Sequence, residues 1–289
     1  MERIGFRANG LTFRALRCEG ETSDERALFL HGFPDQARSM VPVMRRLARE
    51  RWVGVAPWMR GYAPTQLAPD DDYTMGALAA DVIGMLDALD WERATLVGHD
   101  WGAVAAYAAA NLAPSRVARI VGVSVPPLSI FVRNALVTPA QWSKSAYMLW
   151  FQLPGLAEYL LSRDDYRALE AAGPPPEVDD IDWSEGVIDS FSTPGTLSAA
   201  LKYYRSLVPG RPDCGGDGLE SWRLALQTVE RPTLLVAGID DPWIGPEMFE
   251  GPARAIDARH EVRRFVDTGH FVPVERPDRL TDAILGFVG

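Results

Sequence analysis

The chain has 289 residues, of which 47% are hydrophobic and 24% are charged. This is the composition of an ordinary globular protein, long enough for one large domain or for a domain with an insertion. The formal net charge of -10 argues against nucleic acid and anionic membranes as partners. The two cysteines, Cys18 and Cys214, lack the spacing of metal ligands, so we expect free thiols rather than a disulfide.

Neither a targeting segment nor a membrane span is expected from the sequence. Residues Met1 to Arg7 lack the apolar core of a signal peptide. No apolar stretch reaches the roughly 18 residues that a membrane helix needs. We therefore expect a cytoplasmic protein, and the sequence leaves its oligomeric state open, a homodimer included.

Predicted strands and helices alternate along most of the chain. The Asn9-Gly10 pair between two alternating runs predicts an opening β-hairpin. Amphipathic helices are predicted at Met40–Arg49 and Leu78–Leu89, and this alternation is typical of a parallel sheet covered by helices on both faces. Further strands are predicted at Ala27–Leu30, Trp52–Ala56, Ala94–Val97, Ile120–Val125, Thr233–Ala237 and Val262–Val266.

The alternation stops between residues 128 and 219. This part holds aromatic, helix-like segments and a Pro174-Pro175-Pro176 turn, without a convincing strand. We interpret residues 128–219 as a helical lid, or cap, inserted into a core formed by residues 1–127 and 220–289. The acidic stretch from Glu177 to Glu185 is expected to be a solvated surface of that lid.

Asp100 stands in the segment Gly98-His99-Asp100-Trp101-Gly102, between a predicted buried strand and an alanine-rich helix. This spacing is typical of the strained elbow on which hydrolases present a nucleophile. A carboxylate with a reference pKa of about 3.9 is ionised at neutral pH and needs no base to activate it. Carboxylates displace leaving groups at saturated carbon and form covalent esters. The elbow therefore predicts alkyl transfer rather than acyl transfer.

An acid and a histidine follow Asp100 in the chain order of this catalytic arrangement. Asp241 comes directly after a predicted strand, and His270 lies in the Gly269-His270-Phe271 loop after the last strand. His270 is the predicted base and Asp241 is its predicted acid. Asp240 remains the alternative, because adjacent carboxylates cannot be ranked from sequence. His99 is expected to face away from Asp100.

The segment His31-Gly32-Phe33-Pro34 follows the first buried strand. In such a position the backbone N–H of Phe33 can face the elbow, and the N–H of Trp101 supplies a second donor. Together they would stabilise the oxyanion that forms when water attacks the ester. Loss of one such donor costs roughly 10² to 10³ in rate. His31 itself is expected to be structural.

These motifs resemble epoxide hydrolases of the α/β-hydrolase fold, the branch with an aspartate nucleophile that also includes haloalkane dehalogenases. The resemblance covers nearly the whole chain. It implies a mostly parallel eight-stranded sheet flanked by helices, with a helical cap. The motifs that carry it are His31-Gly32-Phe33-Pro34-Asp35, Arg60-Gly61-Tyr62, Gly98-His99-Asp100-Trp101-Gly102 and Gly269-His270-Phe271.

Two lid segments are similar to the tyrosine segments of epoxide hydrolases: Tyr147-Met148-Leu149-Trp150-Phe151-Gln152-Leu153-Pro154-Gly155 and Lys202-Tyr203-Tyr204-Arg205. The similarity places Tyr147 and Tyr204, rather than Tyr203, in the site. Opening of an epoxide leaves an alkoxide, and phenols with a reference pKa near 10 remain protonated at pH 7 and can donate to it. The implied reaction gives a vicinal diol through an ester on Asp100 and needs neither a metal nor an organic cofactor.

The aromatic side chains of the lid and the elbow predict an apolar substrate, with aromatic epoxides as candidates, and water as the second reactant. Each of these side chains could instead be a packing residue, because aromatic groups commonly bury large areas. The predicted substrate contacts are Phe33, Trp101, Trp142, Trp150, Trp183 and Phe271.

Two alternative functions remain open at this point. A haloalkane dehalogenase would use the same triad and hold halide with donors such as Trp101, although Phe33 occupies the place of the asparagine that is usual there. A non-catalytic ligand-binding protein could use the same scaffold, because fold does not fix function. A serine esterase is disfavoured, since Ser124 does not lie in an elbow.

Overall fold

The structure is a computed structural model that describes residues 1–20, 25–175, 181–211 and 213–289. It contains one eight-stranded sheet with the order β1-β2-β4-β3-β5-β6-β7-β8. Strand β2 pairs antiparallel with β1 and β4, and the remaining pairings are parallel. The strands are β1 (Glu2–Ala8), β2 (Leu11–Glu19), β3 (Glu25–Leu30), β4 (Trp52–Pro57), β5 (Ala94–His99), β6 (Val117–Val123), β7 (Thr233–Gly238) and β8 (His260–Phe265).

The opening hairpin and the parallel sheet confirm the predicted fold class. Asn9 and Gly10 both have positive φ, 44° and 78°, as a two-residue hairpin turn requires. Every residue of β4, β5 and β7 is buried, as expected for parallel strands covered on both faces. The helices of the core are α1 (Val41–Arg49), α2 (Met75–Ala88), α3 (Trp101–Leu112), α11 (Val272–Glu275) and α12 (Pro277–Val288).

Several predicted boundaries differ from the structure by one to three residues, and two of these differences have a local cause. Helix α2 begins at Met75 rather than Leu78, because the Thr74 side chain accepts a hydrogen bond from the Ala77 N–H and caps an earlier turn. Strand β6 ends at Val123 rather than Val125, because Ser124 adopts a positive φ of 65°. A residue in that conformation cannot continue a strand.

The turn between β5 and α3 forms the strained elbow that the sequence predicts. Asp100 has φ 51° and ψ -119°, and its N–H donates to the Val123 carbonyl over 3.0 Å. A Cβ atom at Gly102 would lie 2.0 Å from the carbonyl oxygen of Leu30. Only glycine permits α3 to approach the sheet this closely. The local sequence therefore explains why the Asp100 side chain projects from the turn.

Seven helices lie between β6 and β7 in the described part of the chain, where no strand occurs. The exact domain boundaries stay a prediction, since α10 straddles residue 219 and packs against the core helices α2 and α3. Residues 176–180 of the predicted acidic surface lie outside the described residues. The cap helices are α4 (Leu128–Val137), α5 (Pro139–Ser145), α6 (Tyr147–Trp150), α7 (Leu156–Glu170), α8 (Trp183–Ser192), α9 (Thr196–Arg205) and α10 (Gly218–Ala225).

Cys18 and Cys214 are both free thiols, which confirms the prediction for them. Across the described ranges, no helix combines the length and apolar character needed to cross a bilayer. The cytoplasmic location stays a prediction.

A buried ion pair joins the loop after β4 to helix α2. The Arg60 guanidinium donates through Nε and Nη2 to the two carboxylate oxygens of Asp81, each over 2.7 Å. The side chain of Asn9 also donates to Asp81, over 2.8 Å, so the hairpin is tied to the same carboxylate. Burial raises the pKa of Asp81, and the hydrogen bonds and charge of Arg60 oppose that rise.

We expect Arg60→Met to lower the free energy of unfolding by about 3–5 kcal/mol, because it leaves the Asp81 carboxylate buried without its cation. Urea denaturation measures the change. Arg7→Met is the matched control, since Arg7 is exposed on β1, and it should shift stability by no more than about 0.5 kcal/mol. Equal stability of the two variants would contradict the structural importance of the ion pair.

Candidate active site

The ends of three parallel strands bring Asp100, His270 and Asp241 together. His270 Nδ1 donates to Asp241 Oδ2 over 2.7 Å, and His270 Nε2 lies 3.6 Å from Asp100 Oδ2. All three side chains are buried. Asp240, the alternative acid, is exposed, and its N–H donates to the Thr268 carbonyl. The geometry therefore places Asp241 beside the histidine and Asp240 away from it.

The acid loop is held from two sides. Oδ1 of Asp241 accepts hydrogen bonds from the N–H groups of Trp243 and Ile244, over 2.7 and 2.8 Å. From the cap, Gln141 donates to the Trp243 carbonyl over 2.8 Å and accepts from the Gly245 N–H over 2.9 Å. Sequence reasoning missed Gln141, because a glutamine on a short helix carries no local signal for a contact about a hundred residues away.

The backbone around His270 is fixed by side chains whose contacts with it the sequence did not predict. The His270 carbonyl accepts hydrogen bonds from Ser124 Oγ, over 2.6 Å, and from His99 Nε2, over 2.9 Å. The Glu275 carboxylate accepts from the N–H groups of Gly269 and Phe271, over 2.6 and 2.9 Å. His99 faces away from Asp100, as predicted. Ser124 donates a hydrogen bond to the loop of His270 and does not lie where a nucleophile would.

Behind the elbow, Asp35 forms a buried polar centre with His99. His99 Nδ1 lies 3.0 Å from Asp35 Oδ2, and Trp183 of the cap donates its indole N–H to Asp35 Oδ1 over 3.1 Å. Although burial raises it, hydrogen bonds and the charge of His99 hold the pKa of Asp35 below its usual value. Both nitrogens of His99 face oxygen atoms, Asp35 Oδ2 on one side and the His270 carbonyl on the other.

Two carboxylates determine the protonation of His270. Burial lowers the pKa of its imidazole, but the charge of Asp241, the nearby carboxylate of Asp100 and the hydrogen bond to Asp241 outweigh burial and raise the pKa to about 10. With both carboxylates ionised, His270 is an imidazolium at neutral pH. Loss of the negative charge on Asp100 would remove part of this stabilisation, so the imidazole would release its proton more readily.

The first backbone donor faces Asp100 as the sequence predicts. The N–H of Phe33 donates to Asp100 Oδ1 over 2.8 Å, and a Cβ atom at Gly32 would lie 2.2 Å from that oxygen. Trp101 is the first residue of α3, directly after the elbow. His31 accepts from the Met59 N–H at Nε2 over 3.0 Å, and burial lowers its pKa, so it is a neutral structural residue.

An apolar cavity of about 320 Å³ opens on Asp100 and His270. Two cap tyrosines, Tyr147 and Tyr204, also line it, as do the predicted contacts Phe33 and Trp150. The remaining lining residues are Pro34, Phe151, Leu160, Leu161, Ala168, Leu169, Ala172 and Trp243.

The two tyrosines lie beside one another, with ring centroids 5.9 Å apart. Burial raises the pKa of both phenols, and the negative charge of Asp100 raises it further. Hydrogen bonds oppose these rises, one between Tyr147 and Tyr204 and one from the Trp101 indole to Tyr204. Tyr203 instead donates to the Arg60 carbonyl over 2.7 Å and is fully buried, so the structure places Tyr204 and not Tyr203 along the cavity.

Four of the predicted substrate contacts, Trp101, Trp142, Trp183 and Phe271, do not line this cavity. Trp142 is 61% exposed and donates its indole N–H to the Ala135 carbonyl. Trp183 is buried, bonded to Asp35, and packs edge-on against Phe271 with ring centroids 5.3 Å apart. Trp142 is thus held at the surface, and Trp183 is a buried packing residue. Trp101 lines a smaller neighbouring cavity of about 90 Å³, which also includes Asp100 and Tyr204.

Comparison with known proteins agrees with this geometry. The model of the alpha/beta hydrolase fold family matches residues 28–277. Epoxide hydrolase A of Mycobacterium tuberculosis is 30% identical over 97% of this chain and 95% of its own length. The chain belongs to the epoxide hydrolase family of α/β hydrolases.

Solved epoxide hydrolases share the architecture along the whole chain. The crystal structure of epoxide hydrolase A from Mycobacterium thermoresistibile superimposes with a TM-score of 0.82 at 26% identity, covering 99% of this chain and 98% of that one. The fold is also shared with an epoxide hydrolase from Bacillus megaterium, with a TM-score of 0.84 at 23% identity and 99% of both chains covered. Membership of the epoxide hydrolase family thus extends over both the core and the cap.

The pKa of His270 gives a pH-dependent prediction. Because the pKa is raised in the folded protein, the stabilisation from this imidazolium is complete below about pH 6.5 and is lost as the pH rises towards 10. In an NMR titration of the imidazole, we expect the midpoint near 10 in the wild type and a lower midpoint in Asp100→Asn. Identical midpoints would show that Asp100 does not act on His270.

Proposed function

We propose that the protein is an epoxide hydrolase that converts an apolar epoxide into a vicinal diol through an ester on Asp100. One observation carries this proposal: the carboxylate of Asp100 and the hydroxyl-bearing side chains of Tyr147 and Tyr204 line the same apolar cavity. A nucleophile and a pair of acids on one cavity suit the opening of a strained ether, which needs attack at carbon and a proton at oxygen.

In the first step, Asp100 Oδ2 attacks an epoxide carbon and the carbon–oxygen bond breaks. Oδ2 is the attacking atom because Oδ1 is held by the N–H of Phe33 and becomes the ester carbonyl oxygen. The alkoxide takes a proton from Tyr147 or Tyr204. The charge of Asp100, which raises the pKa of both phenols, disappears in this step, so the phenols become stronger acids as the alkoxide forms.

The same loss of charge prepares the second step. A net transfer of the His270 proton to the tyrosinate restores the phenol and leaves a neutral imidazole. His270, oriented by Asp241, then removes a proton from water, and the hydroxide attacks the ester carbonyl carbon. The N–H groups of Phe33 and Trp101 stabilise the oxyanion, and its collapse releases the diol, ionised Asp100 and the His270 imidazolium.

The site supports the two alternatives less well. The Trp101 indole, the donor that would hold a halide, is hydrogen-bonded to Tyr204. The Phe33 side chain provides no second side-chain donor. A halide-release assay on short haloalkanes, run beside a diol assay on aryl epoxides, separates a dehalogenase from the proposed activity, and binding of an epoxide without turnover would indicate a non-catalytic protein.

Turnover in H₂¹⁸O tests the ester route directly. We expect ¹⁸O to accumulate in the Asp100 peptide over repeated cycles, because water attacks the carbonyl of the enzyme ester, and mass spectrometry detects it. Asp100→Ala should abolish diol formation while Asp240→Ala, which changes an exposed carboxylate, should leave it nearly unchanged. Diol formation by Asp100→Ala, or label found only in the diol, would refute the route.

The tyrosine pair gives a second test. Because either phenol can protonate the alkoxide, Tyr147→Phe with Tyr204→Phe should lower the rate of ring opening far more than either change alone, by the 10²- to 10⁴-fold that general acids contribute. Pre-steady-state formation of the ester measures this rate. Tyr159→Phe is the control, since Tyr159 is an exposed cap tyrosine outside the cavity lining. A fully active double variant would remove the assigned role.

A further inference from the structure

A second cavity, of about 480 Å³, lies between the N-terminal hairpin and cap helix α8. In the described part of the chain it shares no lining residue with the active-site cavity. The core contributes Arg3 from β1, Arg14 from β2 and Arg38 from the turn before α1, and α8 contributes Gly186 and Ser190. The cavity therefore spans the boundary between core and cap, away from the proposed chemistry.

The three arginines form no ion pair with any described residue; Arg3 and Arg14 are exposed and Arg38 is partly buried. The Arg14 guanidinium lies over its cross-strand partner Gly5, where an added Cβ atom would be 2.6 Å from Nη1. Three guanidinium groups without carboxylate partners make one side of this cavity cationic, although the formal net charge of the chain is -10. Guanidinium groups are well suited to bind a carboxylate.

A buried amide forms part of the wall of the same cavity. Gln36 is 1% exposed, lines the cavity, and its Nε2 has no hydrogen-bond partner among the described residues. An added Cβ atom at Gly186 would lie 2.0 Å from that Nε2, so the amide packs directly against α8. Asp189 of α8 is an exposed lining residue and would repel a second negative charge, which favours a ligand with a single one.

Apart from Thr193, the rest of the lining is apolar. Ile4, Trp58, Ala63 and Pro64 provide a hydrocarbon surface beside the cationic side. From this combination we propose that the cavity binds a small organic carboxylate with an apolar tail, its charge facing the arginines. Nothing in this proposal depends on the reaction at Asp100.

A ligand in this cavity would join the core to the cap. At present Ser190 of α8 donates to the Ala63 carbonyl over 2.9 Å across the same boundary. The binding site is complete only when core and cap are folded and packed together. A ligand bound there therefore stabilises the folded protein. The melting temperature should accordingly rise with ligand concentration.

Octanoate is the probe, titrated by calorimetry and by thermal denaturation of the full chain. We expect Arg14→Ala with Arg38→Ala to weaken octanoate binding about tenfold or more and to remove the rise in melting temperature, since charge-assisted hydrogen bonds are lost. Arg7→Ala is the matched control, because Arg7 is exposed on β1 and does not line the cavity, and it should bind as the wild type does.

Two further comparisons keep the proposal testable. The neutral analogue 1-octanol should bind this cavity more weakly than octanoate, and Arg14→Lys with Arg38→Lys, which keeps both charges, should bind better than the alanine pair. Octanoate binding that is unaffected by the alanine pair, including binding confined to the active-site cavity, would overturn the proposal. Equal binding of 1-octanol would overturn the recognition of charge.

Discussion

The negative charge of Asp100 is the interaction on which the site depends. It raises the pKa of the His270 imidazole and of the two cap phenols together, and it accepts the backbone N–H of Phe33. These groups lie on different parts of the chain, and only the elbow brings a carboxylate close to all of them. Because formation of an ester would abolish this charge, a single covalent event changes the acidity of every proton donor around it. The two steps of the proposed reaction are thus coupled by electrostatics rather than by movement.

Such coupling requires that the distances from Asp100 to His270 and to the two phenols remain fixed. Hydrogen bonds to the surrounding loops hold these groups in place. The loop of His270 is held by Glu275 through two N–H groups and by Ser124 through the carbonyl. The loop of Asp241 is held by Gln141, which belongs to the cap. The cap therefore contributes to the geometry of the acid as well as to the walls of the cavity.

The parts of the site that the sequence predicted are those with a local origin. The elbow at Asp100 follows from two glycines and the adjoining strand and helix, and the loop of His270 follows a recognisable strand. The choice of Tyr204 over Tyr203 came from the resemblance of a cap segment, and the helix geometry agrees, because neighbouring residues on a helix point in different directions. Local patterns were sufficient for these residues because their positions depend on the elements that carry them.

Contacts between distant segments were not predictable in the same way. Trp142 and Trp183 have the composition expected of a substrate pocket, yet one lies at the surface and the other binds Asp35, since residue type does not encode the direction of a side chain. Gln141 and Glu275 act through hydrogen bonds whose partners become neighbours only in the folded chain. Ser124, where β6 ends early, is a similar case, because its hydroxyl donates to the carbonyl of His270 from a distant segment.

Asp35 links the core to the cap, which matters when the cap of one protein is combined with the core of another. Its carboxylate lies 3.0 Å from His99 Nδ1 inside the core and also accepts the indole N–H of Trp183 from the cap. A chimera that grafts a foreign cap onto this core would remove one of the three donors to Asp35 Oδ1 and leave the N–H of Gln36 and the Ser39 hydroxyl. Exchange of the cap would therefore alter the surroundings of a carboxylate that belongs to the core.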